Sequence, residues 1–391
     1  MLALEGIRVV ALEHAVAGPL CTRHLADLGA DVIKIERVGE GDFARGYDEY
    51  VKGLSSFFVW LNRGKRSLTL DVKHAEGREV LDRLTAQADI VVQNLAPGAA
   101  ARLGLSHAEL SVSNPRAIVV DISGYGEGGP YENRKAYDML IQAESGVVSV
   151  TGSEAEPSRV GLSMVDMATG VYAYSGALAA LVARGRTGVG SNVTVAMFDA
   201  MAEWMAYPLY RYGYDGSLVE RAAMTHPVIT PYGAFAATDG DVVFSIQNER
   251  EWTVFCQEML GNAAFATDPR FRNNTMRRQN AGEVKRLIEE AFSKRSSRDV
   301  VEHLERIRIA NARLNTAKDL WEHPQLSERD RWRDIGSPAG PLRALLPPVN
   351  FSQGEVVMGD VPTLGQHTDE ILIEFGFNIA QIDAMRARGV V

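Results

Sequence analysis

Short apolar runs that alternate with helical stretches constrain this chain more than anything else in it. Residues 7–12 (IRVVAL), 31–36 (DVIKIE), 67–72, 89–93 (DIVVQ), 117–122 (AIVVDI) and 192–196 (NVTVA) read as strands. Several are near-continuous and β-branched rather than alternating, the pattern of strands covered on both faces. Between the first two runs, residues 20–30 (LCTRHLADLGA) read as a helix closed by Gly29. Residues 75–87 repeat the helical pattern. Strand–helix alternation of this kind predicts a doubly wound parallel sheet in an α/β fold. The turn after the first strand lacks G-x-G-x-x-G, so dinucleotide binding is weakly supported.

The chain has 391 residues, more than one core usually organises. We expect a large Rossmann-like domain over 1–200 and a linker over 201–224, rich in aromatics and Met. A smaller α+β domain over 225–325 follows, then a segment over 326–391 that returns to the large domain. The smaller domain shows a hairpin with its turn at Asp239 and Gly240, and helices over 251–260 and 281–292. A helix pair is expected from Thr368. The net charge of −9 disfavours nucleic acid or an anionic membrane as partner. No run is read as long and apolar enough to span a membrane, and no basic, apolar leader precedes residue 14. Two distant cysteines, Cys21 and Cys256, form no metal spacing. The expectation is a cytoplasmic protein.

Chemistry concentrates in few places. Residues 159–185 read as a buried helix of small residues starting near Ser163, with Asp166 in its first turn. A helix start favours an anion, and a carboxylate among apolar neighbours is a candidate nucleophile or base. Acidic first-turn residues are also ordinary, and on that ground alone Asp166 needs no chemical role. Asp138, in the tail of a Gly-rich loop, is the second carboxylate of interest. Arg37 ends the second strand, where open α/β sheets bind ligands. Arg63, Lys65, Arg66 and Lys73 make the densest basic cluster, suited to a phosphorylated ligand or to plain solvation. No G-x-S-x-G elbow and no P-loop is present. The residues alone lead to an α/β enzyme with a small-molecule anion site.

Longer matches lead further. The segments LEGIRVVALEHAVAGPLCTRHLADLGADVIKIER at 4–37, NRGKRSLTLDVK at 62–73, QNLAPG at 93–98, RKAYD at 134–138 and VDMATG at 165–170 resemble the family III CoA-transferases. That group includes formyl-CoA transferase, carnitine CoA-transferase and α-methylacyl-CoA racemase. The resemblance implies that Asp166 is the nucleophile and that Asp138 has an assisting role. It implies a CoA site at Ala17, Arg37, Leu70, Asp71, Lys73, Asn94, Leu95, Ala96, Arg102, Lys135 and Tyr137. It also implies an interlocked homodimer, and acyl-CoA and a small carboxylic acid as substrates, with no cofactor beyond CoA itself. Oxyanion donors are expected among backbone N–H groups at the helix start.

Two departures narrow the reaction. Racemases of the family carry a His-Asp pair where this chain has Tyr137–Asp138, and a phenol with a pKa of about 10 is a poor acid/base partner near neutrality. Formyl-CoA transferases carry a glycine run where this chain reads MTHPVITPYGAF, near 225–235. The phrases GDFARGYD, FVWLNRGK and IANARLN are more similar to transferases that use succinyl-CoA and C4–C5 dicarboxylates. Racemization, oxalate transfer and a non-catalytic CoA-binding scaffold are the alternatives. Arg45, Arg159 and His226 are candidates for an acceptor's distal carboxylate.

Overall fold

The computed structural model describes residues 2–352 and 356–391. The chain divides into two compact units. One holds Met1–Ser145, Val160–Ala206 and Glu328–Val391; the other holds Gly146–Arg159 and Tyr207–Ser327. Residues 146–159, read from the sequence as part of the large domain, thus group with the second unit.

The first unit opens as β1 (Arg8–Leu12), α1 (Ala17–Asp27), β2 (Asp31–Glu36), α2 (Ser56–Asn62), β3 (Arg66–Thr69), α3 (Ala75–Ala86) and β4 (Ile90–Gln93). It continues with α4 (His107–Ser113), β5 (Ile118–Ser123), α5 (Asp138–Glu144), α6 (Met164–Thr187), β6 (Asn192–Ala196) and α7 (Met197–Trp204). The strands form a six-stranded parallel sheet in the order β3-β2-β1-β4-β5-β6. This is the doubly wound order, and the chain reverses direction across the sheet between β1 and β4. Successive side chains point to opposite faces. Val10, Ile33, Leu68, Val91 and Val119 meet Val80, Leu81 and Leu84 of α3 on one face. Val9, Val32, Ile90 and Ile118 meet Cys21 and Leu25 of α1 and Ala173 and Ala177 of α6 on the other. Each such buried aliphatic side chain contributes roughly 1.5–3 kcal/mol.

Helix α6 is longer and less enclosed than its sequence suggested. It buries Val165, Ala168, Thr169, Gly170, Ala173, Ala177 and Ala180, while Val171 and Val182 are about half exposed. By length and composition alone this 24-residue helix could cross a membrane, which corrects the expectation that no run is long enough. One such helix is weak evidence of a span, and its small-residue stripe is packed into the core of the unit on α1. Gly170 permits the approach: a Cβ there would lie 2.7 Å from the Ala17 carbonyl oxygen and 3.0 Å from Leu20 Cβ.

In the second unit, α8 (Ala206–Asp215) occupies much of the expected linker. Strands β7 (Tyr232–Ala236) and β8 (Asp241–Ser245) form the expected hairpin, closed by Ala237 N–H donating to Gly240 O at 2.9 Å. A short β9 (Asn311–Arg313) adds to β8. Helices α9 (Glu249–Glu258), α10 (Asn274–Gln279), α11 (Ala281–Phe292) and α12 (Ser297–Arg306) complete the unit. Its core is aromatic, with Phe235, Phe244, Trp252, Phe255, Phe271 and Phe292 all buried. The chain then returns to the first unit through a hairpin, β10 (Trp332–Ile335) with β11 (Leu342–Leu345), and two helices, α13 (Thr368–Glu374) and α14 (Ile379–Ala387). Ile371, Leu372 and Met385 join the core on the α3 side of the sheet.

Gly170→Val tests the α1–α6 contact. The Cβ meets backbone rather than a flexible side-chain end, so the gain in helix propensity over glycine is outweighed by overpacking of about 1–3 kcal/mol. A lowered urea midpoint at unchanged slope is the expected outcome.

Candidate active site

The parallel strands deliver five loops to one edge of the sheet, those after β1, β2, β3, β4 and β5. Open α/β sheets form their ligand crevice at this edge, where the strand order reverses. Asn94 bridges the reversal. Its Oδ1 accepts from His14 N–H and its Nδ2 donates to His14 O, both at 2.9 Å. Its side chain is therefore a strap between the β1 and β4 loops. Ala17 and Leu70 are buried, Leu70 as part of the core, so only their backbones can face a ligand. Leu95 is half-buried, its N–H donating to Gln93 Oε1 at 2.7 Å. Asp71, Lys73, Ala96, Arg102, Lys135 and Tyr137 are exposed along the edge. Arg37 is exposed too, with Glu40 Oε2 3.7 Å away. The residues of the implied CoA site thus gather on one edge of one unit.

Asp166 stands in the first turn of α6, as expected. Ser163 at the helix start offers no side-chain cap, and the missing acceptor comes from α5. Asp138 Oδ1 accepts from Val165 N–H at 2.8 Å and Asp166 N–H at 3.4 Å. Its Oδ2 accepts from Gln142 Nε2 at 2.7 Å, and Gln142 Oε1 accepts from Val160 N–H at 2.9 Å. Gln142 is fully buried. Asp138 therefore serves as a helix cap lent by another helix, and Gln142 fixes both it and the segment leading into α6. Sequence reasoning missed Gln142; its spacing of four from Asp138 on one helix face was the available signal.

This arrangement corrects one expectation. The first-turn N–H groups of α6 are taken: Met164 by Leu162 O, Val165 and Asp166 by Asp138, and Met167 by Ser163 O. They are not waiting for an oxyanion. The electrostatic consequence for Asp166 is large. Burial first, and then the negative charge of Asp138, push its carboxyl from the ordinary 3.8 up to about 7. Asp166 is thus poised to exchange its proton near neutrality.

A ladder of rings joins the loops after β1 and β2 to α2. His14 meets Phe43 at 5.6 Å, Phe43 meets Tyr47 at 5.7 Å, Tyr47 meets Phe57 at 5.5 Å edge-on, and Phe57 meets Trp60 at 6.5 Å. Met167, Phe57 and Trp60 all pack against the buried cluster of Val16, Leu20 and Leu61. Burial, together with the charges of Asp42 and Asp166, raises the Tyr47 hydroxyl to about 12, so it stays a neutral donor. Burial and the Lys34 charge hold the His14 imidazole below its usual value. None of these rings stood out in the sequence, because they lie in loops and a short helix without periodicity.

The basic cluster is mostly internal. Arg63 is buried and grips Asp27 with two bonds at 3.0 and 2.9 Å, Lys65 is buried on Glu13, and Arg66 pairs with Asp31 and Glu374. Acidic partners elsewhere in the chain claimed these charges, leaving Lys73 as the exposed member. Arg45 is likewise held by Glu36 through two bonds of 2.8 Å and lies over Phe58, so it cannot serve a distal carboxylate. In the second unit, His226 stacks on Tyr232 at 5.0 Å, and its Nδ1 accepts from Val228 and Ile229 N–H. Arg159 is exposed in the same unit. Among the described residues no three His, Cys, Asp or Glu side chains gather as a metal site. A cleft of about 400 Å³ lined by Lys65, Arg66, Asp360 and His367 opens at the amino end of β3, the edge away from Asp166.

The raised Asp166 carboxyl has a stability signature. Between about pH 4 and 7 the folded state holds a proton there that the unfolded chain has lost, so this group favours folding as pH falls through that window. Above pH 7 the anion is a cost, about 1–2 kcal/mol once partial solvent access is allowed for. Asp166→Asn should raise the unfolding free energy at pH 8, with the gain fading toward pH 4. In an Asp138→Asn background the gain at pH 8 should be smaller. Denaturant titrations at four pH values would read this; a gain independent of pH would contradict it.

Relatives agree with the geometry. The model of CoA-transferase family III matches residues 4–368. An acyl-CoA transferase of Fusarium pseudograminearum (strain CS3096) is 35% identical over 403 residues, covering 100% of this chain and 88% of its own. The succinyl-CoA:glutarate CoA-transferase of Mus musculus is 31% identical over 396 residues, covering 100% and 91%. A crystal structure of a CaiB/BaiF family protein from Brucella suis superposes with a TM-score of 0.85 at 33% identity, covering 96% of this chain and 99% of its own. With its doubly wound sheet, its crevice edge and a helix-start aspartate, this chain belongs to the family III CoA-transferases and is a CoA-transferase.

Proposed function

We propose that the chain moves CoA from succinyl-CoA to a C4–C5 dicarboxylate through covalent intermediates on Asp166. The observation that carries the reading is Asp166 itself: a part-buried carboxylate at a capped helix start, its backbone fixed by Asp138 and its charge felt by the Tyr47 hydroxyl. Its carboxylate attacks the donor thioester carbonyl and expels the CoA thiolate, giving a mixed anhydride. The thiolate attacks the aspartyl carbonyl and releases the donor acid, leaving an aspartyl-CoA thioester. The acceptor carboxylate displaces the thiolate from that thioester, and the thiolate then attacks the acceptor's carbonyl and frees Asp166. Each step exchanges one acyl–sulfur or acyl–oxygen bond for another at a single carbonyl, so one difficult exchange becomes several easier ones. No metal or redox cofactor is needed beyond CoA as substrate.

In this reading CoA lies along the carboxyl edge. Arg37, Lys73, Arg102 and Lys135 face its phosphates as charge-assisted partners. The backbones at Ala17, Leu70, Asp71 and Asn94–Ala96, with Tyr137, shape its path. The dicarboxylate assignment draws on the glutarate named for the mouse relative. Racemization is disfavoured because position 137 is an exposed tyrosine and Asp138 is committed to capping α6. We read the protein as cytoplasmic and as an interlocked homodimer. The dimer reading draws on α8, which exposes Tyr207, Leu209, Tyr210, Tyr212 and Tyr214, an apolar surface of the kind that marks interfaces. Such a pair cannot part without local unfolding, so mass photometry at low nanomolar concentration should show dimer; monomer would overturn this part.

Asp166→Ala tests the core claim. Exchange between succinyl-CoA and glutarate or mesaconate should fall at least 10⁴-fold with the fold retained, since the covalent route is gone. Hydroxylamine added to wild type with succinyl-CoA should convert Asp166, and no other carboxylate, to a hydroxamate detectable by peptide mass spectrometry. Turnover within tenfold of wild type in Asp166→Ala would sink the proposal.

A further inference from the structure

Beneath the β1–α1 loop lies a set of four charges with almost no solvent access. Glu13 and Lys34 are 0% exposed, Asp42 1% and Lys65 2%. Lys65 Nζ donates to Glu13 Oε1 at 2.7 Å, Pro19 O at 3.0 Å and Asn62 Oδ1 at 3.0 Å. Lys34 Nζ donates to Asp42 Oδ2 at 2.9 Å, Glu13 O at 3.3 Å and Glu13 Oε1 at 3.4 Å. Thr22 Oγ1 donates to the Glu13 carboxylate. Two cations meet two anions, and every ammonium proton has an acceptor. Such clusters are poor sources of stability, because well-packed apolar replacements are often as stable or more so. Their presence asks for another explanation.

The free oxygen of Asp42 supplies one. Oδ1 accepts from Ala15 N–H at 3.2 Å and from Ala44 N–H at 2.9 Å. Ala15 has φ of +61°, a conformation that L side chains rarely adopt and that neighbours must hold in place. Two residues on, the Ala17 carbonyl rests against Gly170, one turn beyond Asp166 on α6. Ala44 belongs to the 3-10 turn Phe43–Gly46, which carries Phe43 and leads to Tyr47, whose hydroxyl feels the Asp166 charge. One oxygen thus sets two backbone segments, one that meets the helix carrying Asp166 and one that leads to Tyr47. Lys34, anchored on Glu13, sets that oxygen.

We infer that Asp42, held by Lys34, is a positioning residue for the transfer reaction, locking the β1–α1 loop and the Phe43–Gly46 turn into register around Asp166. It touches no reacting atom. The inference rests on Asp166 being the acyl carrier, and its failure is separable: if Asp166 is not the carrier, Asp166→Ala stays active whatever happens at Asp42.

Single removals at this cluster strand a buried charge and endanger folding, so the test uses matched pairs. Lys34→Met with Asp42→Asn removes both charges but keeps an acceptor oxygen for Ala15 and Ala44. Lys34→Met with Asp42→Leu removes both charges and the oxygen. Both should hold a melting temperature within about 5 °C of each other. Assayed with succinyl-CoA and glutarate, the Asn pair should keep kcat within tenfold of wild type. The Leu pair should lose at least another thirtyfold in kcat while KM for succinyl-CoA moves less than threefold. Equal kcat in the two pairs would overturn the inference, because a cluster that only supports folding cannot distinguish them. If the Leu pair does not fold, Asp42→Glu decides: it keeps the charge and moves the oxygens by one methylene. It should lose at least tenfold in kcat at an unchanged melting temperature, and wild-type kcat there would overturn the inference equally.

Discussion

A helix that begins without a capping side chain of its own must borrow one, and the borrowing here organises the site. Asp138, on α5, accepts the N–H groups of Val165 and Asp166. That bond fixes where α6 starts, which face carries Asp166, and how close two carboxylates must stay. Burial, and after it that proximity, keep the Asp166 proton up to near neutrality. One interaction therefore sets backbone geometry and charge together. A cap from Ser163 would have satisfied the same N–H groups without placing a second negative charge nearby.

The fold was legible where physics is local. The strand runs, the glycine after α1, the Asp239–Gly240 turn and the Val284, Leu287, Ile288, Ala291 face of α11 all declare themselves within a few residues. Strands β9, β10 and β11 did not, because runs of three or four residues are too short to show a period. The site was legible only in part for a related reason. Asp166 and Asp138 stood out as carboxylates in apolar or glycine-rich surroundings. Gln142 and the Asp42 oxygen matter because each joins a near neighbour to a segment further off along the chain, Val160 for the one and Ala15 for the other.

Charge was the least readable property. A stretch with Arg63, Lys65 and Arg66 looks like a surface for anions, yet its charges are answered by Asp27, Glu13 and Asp31 from the first βαβ unit. Nothing in local spacing distinguishes a lysine that faces water from one aimed into a core. The sign of the residue is local information, whereas its solvation depends on tertiary structure.

That burial carries a chemical consequence. A protein that handles thioesters bathes its own amines in acylating agents, and the lysine with the lowest pKa offers the largest share of reactive free base. Here that lysine is Lys65, lowered to about 8, chiefly by burial. The enclosure that lowers its pKa also removes it from reach, and three acceptors occupy its protons. An exposed amine such as Lys73 has no such shelter.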